Sequence, residues 1–316
     1  MEIPHRQRSK TAYGEDVKMV RNKIGHFFIY FRRMMKFYDI KARGVPQVLF
    51  VLLLAVSFGF ILLVRPMVMD YTILLQQVYN TYLDILSSES NDPSALFRNI
   101  TELQNSEMFA GLISVSLKII GYMLLQQILL NLLSYFYMGA YLCDLENEGS
   151  SFSCYLRKFL KALPRFIGFN LIFYLILTVL FTAVTFLIAL AAAFIPFLYF
   201  ASGFIVFLIP AAWFIIQVIF IFKDIAFLDT GVSIWRNFRL SAQLSAGNRF
   251  TIAKNIVFIV FLNLLIRMFT VGSQLASLFI ISFFEVIILL IKQRLITLMY
   301  LSRTRRINQN TAAETI

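Results

Sequence analysis

The stretch FIGFNLIFYLILTVLFTAVTFLIALAAAFIP, residues 166–196, decides the fold. It holds no Asp, Glu, Lys or Arg, and none follows before Lys223. A helix needs about 20 apolar residues to cross the ~30 Å hydrocarbon core of a bilayer. This stretch is long enough to cross once and turn at Pro196. Working outward, the 115 residues between Glu107 and Lys223 carry eight charged side chains, seven of them between Asp144 and Arg165. A water-soluble domain could not bury such runs on both sides of one short charged segment. The chain reads as an all-α integral membrane protein.

Composition agrees with that reading. Of 316 residues, 59% are hydrophobic and 34 are Phe, whereas soluble domains run at about 45–50% apolar. The only histidines, His5 and His26, lie in the basic N-terminal segment. No span therefore supplies an imidazole for a Ser-His-Asp triad, a Cys-His dyad or a histidine-dependent metal site. Cys143 and Cys154 are too few for a zinc or redox motif and read as interfacial residues. No phosphate-binding loop of the Walker type occurs. No cofactor is implied, and the chain is not expected to be an enzyme.

Hydropathy places six spans at about residues 46–64, 119–142, 166–195, 197–222, 252–270 and 274–298. Residues 1–44 form a basic segment with an interfacial helix, and residues 45–301 form the membrane domain. Within that domain, residues 67–107 form an outer helical insertion, and residues 302–316 are a tail. Residues 1–43 hold eleven Lys or Arg against four acids. They lack the apolar core and cleavage site of a signal peptide, so this segment is expected to be retained. Four further cations fall in 149–165, five in 223–254 and five in 292–306. The opposite side has Arg65, Arg98, Lys118 and Arg267. Lys and Arg concentrate in cytoplasmic loops, so both termini are expected in the cytoplasm of a bacterial cell. Lys118 and Arg267, near the outer boundary, are expected to snorkel to headgroups. In the outer insertion, Tyr71, Leu75, Val78, Tyr82, Ile85 and Leu86 recur at helical spacing, and Asp92-Pro93 offers a fresh helix start.

Three approaches to the spans share a texture. Tyr30-Phe31-Arg32-Arg33-Met34-Met35-Lys36, Tyr155-Leu156-Arg157-Lys158-Phe159-Leu160-Lys161 and Ile234-Trp235-Arg236-Asn237-Phe238-Arg239 each set two apolar residues before an Arg. That pattern suits an elbow helix in the headgroup layer, apolar side down and cations toward anionic lipid. Three units of elbow helix plus helical hairpin follow. Arg32, Arg33, Lys36, Arg157, Lys158, Lys161, Arg236 and Arg239 are the candidate headgroup contacts. Anionic lipid, not nucleic acid, is the partner that these cations imply, with a membrane protein or a second copy of the chain as further candidates.

Residues Asp229 to Phe250 lead from Gly231 through Ser241 and Gly247 into the fifth span. This segment resembles a group of bacterial multi-span proteins that includes the membrane domain fused to some glycerophosphodiester phosphodiesterases. There a glycine-led amphipathic helix carries a serine, then a glycine some six residues later, then a hydrophobic span. The likeness reaches back to about Gly139. It implies a membrane fold and carries no phosphodiesterase activity, since no such catalytic domain is present.

Four polar groups fall at membrane depth: Gln127 and Asn131 on one face of the second span, Asn263 in the fifth and Glu285 in the sixth. A charged acid at the bilayer centre costs about 2.5–3.5 kcal/mol on insertion scales, so Glu285 should be protonated, paired or beside a wet cavity. Pro210 interrupts the fourth span and leaves the Val206 carbonyl without its helical donor. The four groups either hydrogen-bond neighbouring helices or converge on a midplane chamber of the kind in which transporters bind cargo. Thr178, Thr182, Thr185 and Ala189 form a small-residue stripe expected to contact another helix. The leading functional expectation is a non-enzymatic protein that binds or organises membrane components. The alternative is a transporter or permease subunit for a small solute or lipid, working around Glu285.

Overall fold

The computed structural model describes residues 23–40, 44–88, 93–145, 152–194, 205–268 and 273–304, and among these it is helical with no strand. The helices are α1 (Phe27–Met35), α2 (Val45–Ser88), α3 (Pro93–Gln104), α4 (Glu107–Leu145) and α5 (Phe152–Phe194). They continue as α6 (Ile205–Ile219), α7 (Lys223–Thr230), α8 (Ile234–Ser245), α9 (Arg249–Arg267) and α10 (Gln274–Thr304). Six helical segments are long and apolar enough to cross a membrane, with α6 and α7 counting as one. The protein is an all-α multi-span membrane protein. The expected turn at Pro196 and most of the C-terminal tail lie outside the described residues.

Local chemistry explains where the helices break. Gly44 and Gly247 sit at φ 86° and 80° just before α2 and α9, and Gly231 at φ 60° ends α7. Side chains other than glycine are strained in this left-handed region, so these three glycines make the corners that detach α1 and α8 from their spans. No glycine lies between Lys161 and Phe166. Accordingly the second elbow is not a separate helix: α5 runs unbroken from Phe152 through Pro164 into its span. Of the three elbow segments, two are separate helices and one is continuous with its span. Likewise α2 passes through Pro66 and joins the first span to the outer insertion as one 44-residue helix. An interior proline removes one backbone hydrogen bond, which bends a well-supported helix more readily than it ends it. At the start of α4, the Ser106 hydroxyl accepts the Phe109 N–H at 3.2 Å, an N-terminal cap.

Packing is uneven along the bundle. Helices α2 and α4 pair extensively, and α10 packs against α1, α2, α4 and α9. The dense core sits at one end, here the basal end. There the last turns of α4 (Tyr135–Cys143), the first turns of α5 and the C-terminal half of α10 close around α7 and α8. Along α5 the buried residues are Tyr155, Phe159, Ala162, Phe166, Phe169, Phe173 and Leu177, a clean helical stripe. Beyond Leu177 the same helix exposes Val179, Leu180, Phe186 and Leu187. Its threonines 178, 182 and 185 are exposed as well, so the expected small-residue contact surface is replaced by the Phe169–Phe173–Leu177 stripe. In α4 none of the most apolar 18-residue window is buried within the protein. Surfaces of this kind need hydrocarbon as their solvent.

Candidate functional site

The basal core is organised around a helix break. Helix α6 ends at Ile219, the chain turns through Phe220–Phe222, and α7 resumes at Lys223. Such a break strands backbone carbonyls in an apolar setting, where an unpaired group is expensive. Helix α8 supplies side-chain donors at both edges of the break. Asn237 Nδ2 donates to the Lys223 carbonyl at 2.7 Å, and Ser245 Oγ donates to the Ile219 carbonyl at 2.8 Å. Asn237, Ser241 and Ser245 are fully buried and lie four residues apart, forming one face. The elbow helix therefore turns a polar stripe inward, where an apolar side was expected, while Trp235, Arg236 and Arg239 stay exposed.

The charged pair that opens α7 is held from α5. Lys223 Nζ donates to Asp224 Oδ1 at 2.7 Å and also to Asn170 Oδ1. Asn170 Nδ2 donates to its own helix at the Phe166 carbonyl, 2.9 Å, and reaches Asp224 Oδ1 at 3.4 Å. The ammonium lies 5.6 to 6.0 Å from the ring centres of Phe169, Phe173 and Tyr174, within cation–π range. Lys292 of α10 is within electrostatic reach of both charges. Beside the pair lies a cavity of about 40 Å³, lined among others by Asn131, Ser134, Tyr135 and Gln293. A water needs about 10–15 Å³ by this measure, so the space suits a few waters and no larger solute. Among the described residues the buried Tyr135 hydroxyl and Gln293 Oε1 have no hydrogen-bond partner, and they are the groups such waters would bond.

Two arginines of α10 lock the surrounding elements. Arg303 donates from Nε to the Leu244 carbonyl at 3.0 Å and from a terminal nitrogen to the Ala246 carbonyl at 2.8 Å. It thereby closes the C-terminus of α8 at the Gly247 corner, where a cation is favoured. Arg294 is buried, sits 4.0 Å from the ring centre of Tyr141 and donates to the Asp39 carbonyl at 2.8 Å. On α7, Asp229 accepts the Tyr300 hydroxyl. The segment before α1 is latched to α9, with Asn248 Oδ1 accepting from Ile24 N at 3.2 Å and Asn255 donating to the Gly25 carbonyl at 3.1 Å.

The sequence-derived candidates fall in several places. Glu285 pairs with Arg267, with Oε1 2.9 Å from a terminal guanidinium nitrogen and 3.1 Å from Nε. Arg267 thus engages an acid of the neighbouring span while most of its side chain stays exposed. Gln127 donates to Asn131 at 3.0 Å along one exposed face of α4. The Oδ1 of Asn263 is shielded and has no hydrogen-bond partner among the described residues. Of the four, only Asn131 lines the basal cavity. Pro210 lies inside α6, two turns before the break. Arg32, Lys36, Arg157, Lys161, Arg236 and Arg239 are exposed, as headgroup contacts require, while Arg33 and Lys158 are half-buried. Cys143 lies in the core instead of at an interface, and the side chain of Cys154 lies outside the described residues.

Asn170, Lys223, Asp224, Asn237 and Gln293 were not singled out by the sequence reading. Lys223-Asp224 looks like a solvated boundary after Phe222. The signal that marks it otherwise is Asn170, a lone amide in the apolar run that opens the third span. The resemblance of Asp229–Phe250 has a physical counterpart: Gly231 and Gly247 are left-handed corners, and Ser241 is wholly buried between them. Compared with protein-family models, curated proteins and solved structures, the chain matches none.

Proposed function

We propose that this protein is a non-enzymatic organiser of the bacterial cytoplasmic membrane, with its basal end in the cytoplasm, that holds an envelope partner through a rigid outer arm. One observation carries the reading. Helix α2 has 44 residues, and its partner α4 has 39. At 1.5 Å per residue, α2 is about 66 Å long, roughly twice the ~30 Å hydrocarbon thickness. The surplus half, with α3 and the start of α4, forms a helical projection. Tyr71, Leu74, Val78 and Ile85 are half-buried along it, whereas Ile73, Leu75, Tyr79, Tyr82, Leu83 and Phe97 are exposed. Contiguous exposed apolar side chains outside the bilayer characterise protein interaction surfaces.

The exposed cations of α1, α8 and the start of α5 fit anchoring on anionic headgroups. The transport alternative draws on Glu285, but that carboxylate already faces Arg267, and Gln127 is engaged with Asn131. Photo-crosslinking from Tyr79 and Phe97 in native membranes tests the proposal. Cross-links to one discrete protein, lost when both positions become Ser, support it. Cross-links to lipid alone, together with solute uptake abolished by Glu285→Gln, would replace it with the transport reading.

A further inference from the structure

A partly open cavity of about 510 Å³ lies between α2, α4 and α10, away from the basal core. Its walls are apolar, with Phe60 and Val64 from α2, Met123 from α4 and Leu278 from α10. Three polar side chains interrupt them: Arg65, Gln126 and Gln274. The Gln126 amide is engaged by the Ser57 carbonyl at 3.2 Å, and one Arg65 nitrogen donates to Gln274 Oε1 at 2.6 Å. Arg65 lies 20 residues above Val45, about 30 Å along the helix, which puts it at the far edge of the hydrocarbon layer.

From this geometry we infer that the cavity is a binding site for one phospholipid with an anionic headgroup. The acyl chain lies along Phe60, Val64, Met123 and Leu278, and the headgroup phosphate sits on Arg65. The volume falls within the ~300–1,000 Å³ of small-molecule sites. Among the described residues Arg65 has no carboxylate partner, and its contact with Gln274 is neutral. A guanidinium has five N–H donors, so most of them are left for an anion, and phosphate accepts them in pairs. An apolar slot with a single cation at headgroup depth matches an amphiphile oriented like the lipids of that leaflet. The inference rests on the six-span architecture and not on the organising role, so either can fail alone.

The test uses the full-length protein in nanodiscs containing a trace of phosphatidylglycerol or phosphatidylcholine with a photoreactive acyl chain. Labelled peptides are identified by mass spectrometry. Both lipids carry a phosphodiester, but the choline cation of phosphatidylcholine opposes Arg65 and cancels the lipid's net charge, so phosphatidylglycerol should label residues 60–69 and 119–126 several-fold more strongly. Arg65→Gln should reduce this to the phosphatidylcholine level. Met123→Trp and Leu278→Trp, which fill the slot, should each abolish labelling in protein that still elutes as a monodisperse peak. Added inorganic phosphate should not displace the label. Equal labelling by the two lipids, or labelling unchanged in Arg65→Gln and in whichever slot-filling variant folds, overturns the proposal. So does displacement by free phosphate, which would make Arg65 a simple anion site.

Discussion

Asn237 of α8 donates its side-chain amide to the backbone carbonyl of Lys223, 2.7 Å away, tying an elbow helix to the point where a membrane span breaks. One turn earlier, at the end of α6, the Ile219 carbonyl accepts from Ser245 in the same way. The Ser245 bond supplies a donor to the last carbonyl of α6, where the span stops inside an apolar bundle, and the Asn237 bond fastens α8 to the first residue of α7. Together they explain why the third elbow is a fixed part of the fold, with its polar stripe turned inward.

The three polar residues of that stripe should behave differently on truncation. Asn237→Leu and Ser245→Ala each remove a donor from a buried carbonyl, and each should lower stability by about 1–3 kcal/mol. Among the described residues Ser241 Oγ has no hydrogen-bond partner, so Ser241→Ala should be neutral or stabilising. Denaturant unfolding in detergent micelles, followed by Trp fluorescence, measures all three.

Lys223 and Asp224 form a pair whose side chains are 14% and 28% exposed. Breaking a buried pair by removing one member leaves the other charge uncompensated and costs about 3–5 kcal/mol, more than replacing both. Asp224→Asn should therefore destabilise more than the double variant Lys223→Met/Asp224→Asn. A double-mutant cycle on unfolding midpoints reads the coupling directly. A double variant less stable than the single one would contradict the clasp.

Two glycines with equally open surroundings should diverge on substitution. A Cβ at Gly247 or at Gly121 meets no atom within 4 Å, but Gly247 is at φ +80° whereas Gly121 lies inside α4. Gly247→Ala should cost about 1–2 kcal/mol from backbone conformation alone. Gly121→Ala should gain up to about 1 kcal/mol from helix propensity. Thermal unfolding of the two variants separates the effects.

The Glu285–Arg267 pair is lopsided, with the arginine side chain 68% exposed and the glutamate 27%. Glu285→Gln removes a costly acid from mid-span and leaves Arg267, at the outer end of α9, free to reach the headgroups, so it should shift the unfolding midpoint little. It should also leave growth phenotypes intact, whereas charge reversal at Arg236 and Arg239 should abolish them. The opposite pattern would restore the midplane chamber.

The spans were legible because a 20-residue apolar run has few other physical outcomes. The corners were partly legible, since Gly231 and Gly247 stand at the ends of a short amphipathic segment. What hydropathy hid was pairing over distance. Asn170 and Lys223 are 53 residues apart and meet only after α5 and α6 fold back on each other. Charge at Lys223-Asp224 therefore read as a water boundary when it is a neutralised pair in the core. Continuity was hidden for a different reason. Pro66 and Pro164 look like stops, and only the absence of a left-handed corner beside Pro164 hints that α5 runs on.

In the proposed topology six helices cross the bilayer with the basal end, where most of the cations gather, facing the cytoplasm. Single cysteines placed at Lys36, Arg157 and Arg236, and at Asp84 and Arg98 on the outer arm, test it in intact cells with a membrane-impermeant thiol reagent. The wild-type chain sets the labelling baseline. Labelling is expected at Asp84 and Arg98 in intact cells, and at Lys36, Arg157 and Arg236 only after permeabilisation. Labelling of the basal positions from outside, or of both sets alike, would contradict it.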